Sequence, residues 1–155
     1  MEIEQLVKDY LPNGRTMQIA TVHDNQPWIC TVYYVADELQ RLYWLSLPSR
    51  KHSKQLARHA RAAIAIAIKT DKPVIGIQSE GCAEPVEEPG EARHVMQLYA
   101  GKYDGAGKDF YNAFVEGTNE HVLYRFTPDA FVLFDEVTFA PPNSRKVWQL
   151  ESSDE

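Results

Sequence analysis

The stretch RAAIAIAIK at Arg61–Lys69 constrains the fold of this chain more than any other. Successive side chains of a β-strand point to opposite faces, so Ile64, Ile66 and Ile68 would share one face and Ala63, Ala65 and Ala67 the other. A row of isoleucines fills a core, whereas a row of alanines leaves room for a backbone, a helix or a flat ligand to approach closely. The pattern therefore predicts a strand whose two faces have different partners.

Similar short segments, rich in β-branched and aromatic residues and separated by turn residues, predict further strands. The predicted strands are 17–22, 28–36, 41–46, 61–69, 72–86, 120–126 and 131–139. The first three are expected to form an antiparallel meander, and the last two a hairpin around Thr127-Pro128-Asp129-Ala130. Apolar residues at helical spacing predict helices over 2–11 and 49–60 and two more within 87–117.

These elements predict one mainly β domain with added helices (β+α) over residues 1–155. We expect a six- to seven-stranded antiparallel barrel, closed or nearly closed, because closure removes exposed sheet edges. An N-terminal helix, a short crossing helix, a helical insertion at about 87–117 and a tail at about 141–155 complete it. The tail is expected to be flexible unless Trp148 docks. The segment WICTVYYVA at 28–36 is largely apolar on both faces, which predicts a homodimer that buries the outer face.

Charge and composition exclude several classes of protein. The net charge of −6 argues against a general nucleic-acid binder, which needs many cations facing phosphates. No segment approaches the roughly 18 apolar residues of a membrane span, and the N-terminus has no signal-peptide pattern, so we expect a cytoplasmic protein. The five histidines lack metal-site spacing, which predicts no metal site. Cys30 and Cys82 are predicted to be reduced, buried thiols, with a disulfide between them as the alternative.

Within this acidic chain, cations cluster at the start of the predicted crossing helix. Ser49, after a proline, is the predicted N-cap, and Arg50 and Lys51 follow it. The positive end of the helix dipole normally favours acidic residues there, and Arg50 and Lys54 add repulsion between like charges four residues apart. A phosphate would offset both effects through the free N–H groups and a forked guanidinium. The cluster therefore predicts an anion site, the alternative being a solvated amphipathic helix.

The segment YWLSLPSRK at 43–51, followed by GIQSEG at 76–81, resembles the FMN-binding split β-barrels similar to pyridoxamine 5'-phosphate oxidase. The resemblance covers roughly 15–86, with a weaker match over 120–139. It implies an antiparallel split barrel with FMN as cofactor, whose phosphate would contact Arg50 and Lys51 with assistance from Ser49.

The same resemblance implies contacts along the rest of the cofactor. Trp44 and Leu45 would lie along the ring and the ribityl chain. Gln78 matches a position that often comes from the second subunit of a homodimer, and Thr31 and Val32 would contribute backbone contacts beside the isoalloxazine. For each of these residues, ordinary strand packing is the alternative.

Two departures make vitamin B6 oxidation doubtful for this chain. WICTVYYVA replaces the basic strand of the true oxidases, and SRKVWQLESSDE replaces their C-terminal arginine-histidine constellation. The favoured hypothesis is an FMN-dependent oxidoreductase acting on a small molecule with a nicotinamide electron donor, with no catalytic residue assigned. Alternatives are a non-catalytic FMN- or haem-binding or sensing protein, or a binder of phosphorylated metabolites or nucleic-acid ends. Tyr33, Tyr34, His52 and Tyr99 are possible contacts for a substrate. The alternative is that they pack in the core, as aromatic residues near strands more often do.

Overall fold

The computed structural model describes residues 2–103 and 108–151. The helices in these ranges are α1 (Ile3–Tyr10), α2 (Lys51–Arg58), α3 (Pro89–Lys102) and α4 (Lys108–Val115), with a 3-10 turn at Leu11–Asn13. The strands are β1 (Thr16–His23), β2 (Gln26–Tyr33), β3 (Val35–Ala36), β4 (Leu42–Ser46), β5 (Arg61–Lys69), β6 (Ile75–Pro85), β7 (Val122–Asp135) and β8 (Arg145–Gln149). The predicted mainly β split barrel with four helical elements is confirmed.

All strand pairs are antiparallel, and the sheet curls into a half-barrel in the order β2-β1-β5-β6-β7-β4-β3, with β8 paired to β7. The predicted strands 17–22, 28–36 and 41–46 pair antiparallel in sequence order, β1 with β2 and β3 with β4, as the meander requires. The sequence did not indicate that the other edge of β4 pairs with β7. Long-range pairing of this kind leaves no local pattern in a sequence. The crossing helix α2 connects β4 to β5, on the far side of β7 and β6.

The predicted hairpin at 120–139 is a single strand, β7, with a bulge in place of a turn. The register along β6 shifts where Glu80 faces Ala130 and Gly81 faces Pro128. The proline therefore sits at an irregular point of the ladder, where its missing N–H is tolerated. A Cβ on Gly81 would collide with the carbonyl oxygen of Thr127, so the close approach of the two strands depends on this glycine.

The strand predicted over 28–36 is divided at Tyr34, which lies between the end of β2 and the start of β3. The backbone N–H of Tyr34 donates to the hydroxyl of Tyr103 at 3.0 Å, and its carbonyl accepts from the same hydroxyl at 2.5 Å and from Lys102 Nζ at 3.0 Å. Hydrogen bonds with side chains at the C-terminal end of α3 thus replace the backbone hydrogen bonds of the β-ladder at this point. The break explains why one predicted strand becomes two.

The isoleucine face of β5 lies in the core, as the alternation predicts. Ile64 and Ile66 are buried there beside α1, whereas Ala63 and Ala67 are exposed on the outer face. A second cluster, beneath α3, includes Val95 and other buried residues of the insertion. The half-barrel therefore has a filled interior, and the outward positions of β5 carry small side chains.

The insertion is joined to the barrel by a network of charged groups. The guanidinium of Arg125 on β7 donates to both carboxylate oxygens of Glu91 on α3, at 2.5 and 2.8 Å, and to Glu84 at 2.7 Å. The Tyr43 hydroxyl donates to Glu91 at 2.7 Å and lies 3.1 Å from Asp37. This network fixes the first turn of α3 against β4 and β7.

The C-terminal segment contains a paired strand, which corrects the flexible tail predicted at 141–155 for its central part. β8 pairs with β7, and the ring of Trp148 stacks on Phe131 with 5.7 Å between centroids. Burial of this apolar side chain is the physical reason for the order. Residues 152–155 lie outside the described residues.

Both cysteines are free thiols, so the disulfide alternative is not realised within this structure. Cys30 is half-buried, and burial raises the pKa of its thiol. Cys82 is exposed, contrary to the prediction of two buried thiols, because its position on β6 faces outward. Among the helices of the described ranges, none combines the length and hydropathy needed to cross a bilayer.

Candidate functional site

The turn between β4 and α2 places exposed cations at the start of a helix. Arg50 is the N-cap, with φ −69° and ψ 149°, and its side chain makes no capping hydrogen bond. The predicted N-cap, Ser49, is therefore one residue too early. The reason is a turn in which the Arg50 N–H donates to the Leu47 carbonyl at 3.1 Å, which delays the first helical residue.

An open cavity of about 420 Å³ lies beside this turn. Its lining residues are His23, Ser49, Lys51, Lys54, Gln55 and Arg58. Of the three predicted phosphate ligands, Ser49 and Lys51 line this cavity, and Arg50 is exposed at the adjacent N-cap. Within the described part of the chain, none of the four cations at positions 50, 51, 54 and 58 pairs with a carboxylate.

Buried hydrogen bonds from two strands hold α2 in place. The Thr21 hydroxyl of β1 donates to the side-chain oxygen of Gln55 at 2.6 Å. The Ser46 hydroxyl at the end of β4 lies 2.8 Å from His52 Nε2. Burial lowers the pKa of His52, and the charge of Arg50 lowers it further. The imidazole is therefore neutral at neutral pH and adds no charge to the site.

The groups at the start of α2 fit a phosphate. The first-turn N–H groups of a helix lack intrahelical acceptors, and here no side chain caps them and no acidic residue lies in the first turn. The hydroxyl of Ser53, in the same turn, is buried without a hydrogen-bond partner, although Ser53 does not line the cavity. Arg50 and Lys51 add two positive charges. Donors and charge of this kind are complementary to the oxygens of a phosphate monoester.

Trp28 on β2 forms one side of this region. The Lys51 Nζ atom lies 4.2 Å from the centroid of the Trp28 ring, within the range of a cation–π interaction. The indole remains 41% exposed. It therefore holds the lysine beside the cavity and also leaves an aromatic surface open to a ligand.

Trp44 and Leu45, the two residues expected along the cofactor, point to opposite faces of β4. Trp44 is fully buried, stacks on Tyr124 with 5.5 Å between centroids, and has no hydrogen-bond partner for its indole nitrogen. Its side chain reaches no open surface, which does not agree with a place along a flavin ring. Strand alternation turns Leu45 to the other side, where it packs half-buried against the cluster beneath α3.

Thr31, Val32 and Gln78 do not line the cavity beside α2. Thr31 is exposed opposite Gln18, whereas Val32 packs partly buried against the core. Gln78 is exposed on the outer face of the sheet, where it lines two shallow cavities of about 470 and 410 Å³. Their contacts with a cofactor stay predictions, and for Gln78 the prediction involves a second subunit.

The other aromatic candidates belong largely to packing. Tyr34 is buried, and the rings of Tyr33 and Tyr99 lie 5.2 and 4.9 Å from that of Tyr103 at the end of α3. Tyr34 is therefore a core residue and not a substrate contact, whereas 55% of the Tyr33 surface is exposed.

A family model described as pyridoxamine 5'-phosphate oxidase matches residues 3–133, which is most of the chain. The chain belongs to the pyridoxamine 5'-phosphate oxidase family. A comparison with curated proteins gave no match. The family assignment, the split barrel and the basic turn before α2 thus agree with the resemblance found in the sequence.

Solved structures show the same fold. A conserved hypothetical protein of Mycobacterium tuberculosis is 21% identical with a TM-score of 0.74, covering 99% of this chain and 94% of the other. An FAD-binding protein of Mesorhizobium loti has 14% identity and a TM-score of 0.62 over 84% and 92%. The haem storage protein HutZ of Vibrio cholerae has 17% identity and a TM-score of 0.61 over 83% and 91%. At these identities the likeness establishes the fold alone.

In this member of the pyridoxamine 5'-phosphate oxidase family, sequence reasoning missed three residues of the cavity region. Trp28 and His23 come from the β1–β2 hairpin, which only the tertiary structure brings to α2. Gln55 looks like an ordinary helix residue, and no sequence signal shows that its amide bonds to β1. Lys54, identified beside Arg50 in the sequence, and Arg58 line the same cavity as Lys51, as their spacing of three and seven residues from Lys51 allows.

Proposed function

We propose that this protein is an FMN-binding flavoprotein and a flavin-dependent oxidoreductase that acts on a small molecule as a homodimer. The observation that carries the proposal is the group of cations, unpaired with carboxylates in the described chain, at the first turn of α2 beside an open cavity. An acidic protein with a net charge of −6 has many carboxylates that could neutralise them. A phosphate explains why none does.

In this proposal Arg50 and Lys51 bind the phosphate of FMN, together with the first-turn N–H groups of α2 and the Ser49 hydroxyl. Trp28 keeps Lys51 in position through its ring. When bound, FMN supplies hydride or electron transfer at its ring system, so the chain needs to position it and exclude water. A nicotinamide donor and a small-molecule acceptor are the proposed partners.

The outer face of the sheet supports a homodimer. Ile29, Phe134 and Val147 are between 43% and 61% exposed there, beside the alanines of β5. Apolar patches of this kind on soluble proteins mark interaction sites. A second copy of the chain would cover this face. Gln78 of each subunit would then contribute to the cofactor site of the other subunit, as the family resemblance implies.

Titration of the purified protein with FMN, followed by flavin fluorescence and the visible spectrum, tests the proposal. We expect saturable binding of one FMN per chain. The double variant R50A/K51A should weaken binding by about 3–5 kcal/mol, since charge-assisted hydrogen bonds contribute roughly 1.5–3 kcal/mol each. The variant K72A/R93A removes the same charge from exposed positions outside α2 and should bind FMN like the parent.

Equal FMN affinity of R50A/K51A and K72A/R93A would show that the phosphate lies elsewhere, and no binding at all would refute the flavoprotein. A redox assay distinguishes an oxidoreductase from a non-catalytic FMN-binding protein. Bleaching of the bound flavin by NADPH or NADH, and its repeated reoxidation by an added acceptor, supports an oxidoreductase. A Soret band after addition of haem, with no flavin binding, would favour the haem-binding alternative.

A further inference from the structure

The basic surface of α2 extends well beyond the first turn. Lys51, Lys54 and Arg58 line one cavity, and all three are exposed. At a rise of about 1.5 Å per residue, the positions 51 and 58 are about 10 Å apart along the helix. One phosphate group is too small to contact both ends of this row. The end of the row at Lys54 and Arg58, called the far end below, is therefore positively charged like an anion site, but the proposed function assigns no ligand to it.

The charges exceed what one phosphate needs. A phosphate monoester carries about −1.5 to −2 at neutral pH, which Arg50 and Lys51 balance. Lys54 and Arg58 remain, and at a spacing of four residues they repel each other by a few tenths of a kcal/mol. Arg58 reaches toward His23, with 3.3 Å between Nη1 and Nε2. The same His23 nitrogen lies 3.2 Å from the carboxylate of Asp24, a side chain that is highly exposed.

The walls of the far end are defined by the fold. Gln55, fixed to Thr21 by a buried hydrogen bond, holds this face of α2 against β1. His23, from the β1–β2 hairpin, lines the cavity next to Arg58. The half-exposed Trp28 lies beside Lys51, at the other end of the row of cations. An aromatic surface next to a row of cations suits a nucleotide, because a base can stack while its phosphates meet the cations.

We propose that Lys54 and Arg58 form a second phosphoryl subsite, next to the FMN phosphate site, for the phosphate of an adenine nucleotide. This inference rests on the proposed function of the first turn. The second phosphate could belong to the same molecule as the flavin, as in FAD, or to a phosphorylated nicotinamide donor, as in NADPH. Both sources present a phosphoryl group and an adenine base to the same groove.

Binding titrations with FMN, FAD, NADPH and NADH, by calorimetry, test the subsite without a need for turnover. If FAD is the source, the parent protein should bind FAD at least tenfold more tightly than FMN. If NADPH is the source, the FMN-loaded protein should bind NADPH at least tenfold more tightly than NADH. In either case K54A/R58A should abolish the preference while its FMN affinity stays within about threefold of that of the charge-matched K72A/R93A.

The outcomes separate this inference from the proposed function. FMN binding with neither preference in the parent, or a preference that survives in K54A/R58A, overturns the second subsite and leaves the flavin site intact. Loss of FMN affinity equal to that of R50A/K51A would show that Lys54 and Arg58 belong to the first phosphate, which also overturns it. Absence of any flavin binding refutes the proposed function itself. Circular dichroism of each variant establishes that the fold is retained.

Discussion

Replacement of Glu91 by alanine should detach the start of α3 from the barrel. Its carboxylate accepts two hydrogen bonds from Arg125 and one from the Tyr43 hydroxyl, and its side chain is only 16% exposed. E91A would leave a guanidinium that is 21% exposed, with Glu84 as its remaining partner. Partly buried charges that lose a partner are costly, because water replaces the partner only in part.

The size of the effect follows from these contacts. A hydrogen bond to a charged group contributes roughly 1.5–3 kcal/mol, but the contacts of one side chain are not additive and Arg125 keeps one carboxylate. We therefore expect a loss of about 3 kcal/mol in the free energy of unfolding. For a domain of this size that corresponds to a fall of about 6–12 °C in Tm.

Urea and thermal unfolding of E91A, followed by circular dichroism, measure this loss. The matched control is E84A, which removes a carboxylate of the same guanidinium at a side chain that is 58% exposed, and should cost less than about 1 kcal/mol. Equal stabilities of E91A and E84A, or an E91A protein within about 0.5 kcal/mol of the parent, would show that the buried network does not hold α3.

The pH dependence provides an independent measurement of the same group. Burial raises the pKa of Glu91, but the hydrogen bonds from Tyr43 and Arg125 and the positive charges of Arg125 and Arg41 bring the pKa below its ordinary value. A depressed pKa in the folded state stabilises the protein above the unfolded value, roughly 4.3, and the contribution is lost as the pH falls through the folded value. E91Q should therefore show a shallower loss of stability in acid.

Two further substitutions test the strand ladder and the support of α2. G81A should lower the free energy of unfolding by about 1–3 kcal/mol, because the added Cβ would collide with the Thr127 carbonyl oxygen and lie 3.0 Å from Pro128 Cα. The control is G76A, whose added Cβ would have its nearest contact at 3.7 Å, and equal stabilities of the two variants would contradict the bulge. The lowered pKa of His52 means that stability falls as the pH drops below about 6.5, the unfolded value. H52N should flatten that fall, measured by urea unfolding between pH 7 and 5, and an unchanged slope would locate the titrating group elsewhere.

At β7 the local sequence pattern and the tertiary structure differ. Thr127-Pro128-Asp129-Ala130 has the composition of a turn, and local reasoning predicts a hairpin. The chain instead continues as one strand, because Gly81 on β6 lets the backbone of the neighbouring strand come close at the irregular position. A local propensity was overridden by a partner far away in sequence, which no inspection of 120–139 alone could reveal.

The tail shows the same effect in the opposite direction. A polar segment with a few apolar residues favours a mobile end when read alone. Trp148 finds Phe131 on β7, and the apolar contact accompanies a paired strand. Whether an isolated tryptophan packs or stays in solvent depends on a surface that the sequence does not display.

The sequence by itself determined the local chemistry of this protein: the alternating strand β5, the helix at the start of the chain, the helices of the insertion and the cations that follow Ser49. These depend on residues near one another along the chain, so their spacing carries the information. Only the tertiary structure decided that β4 pairs with β7, that Trp44 points into the core and that His23 and Trp28 meet α2. Those outcomes arise from the packing of distant segments, whose combined burial and hydrogen bonding outweigh each segment's own preference.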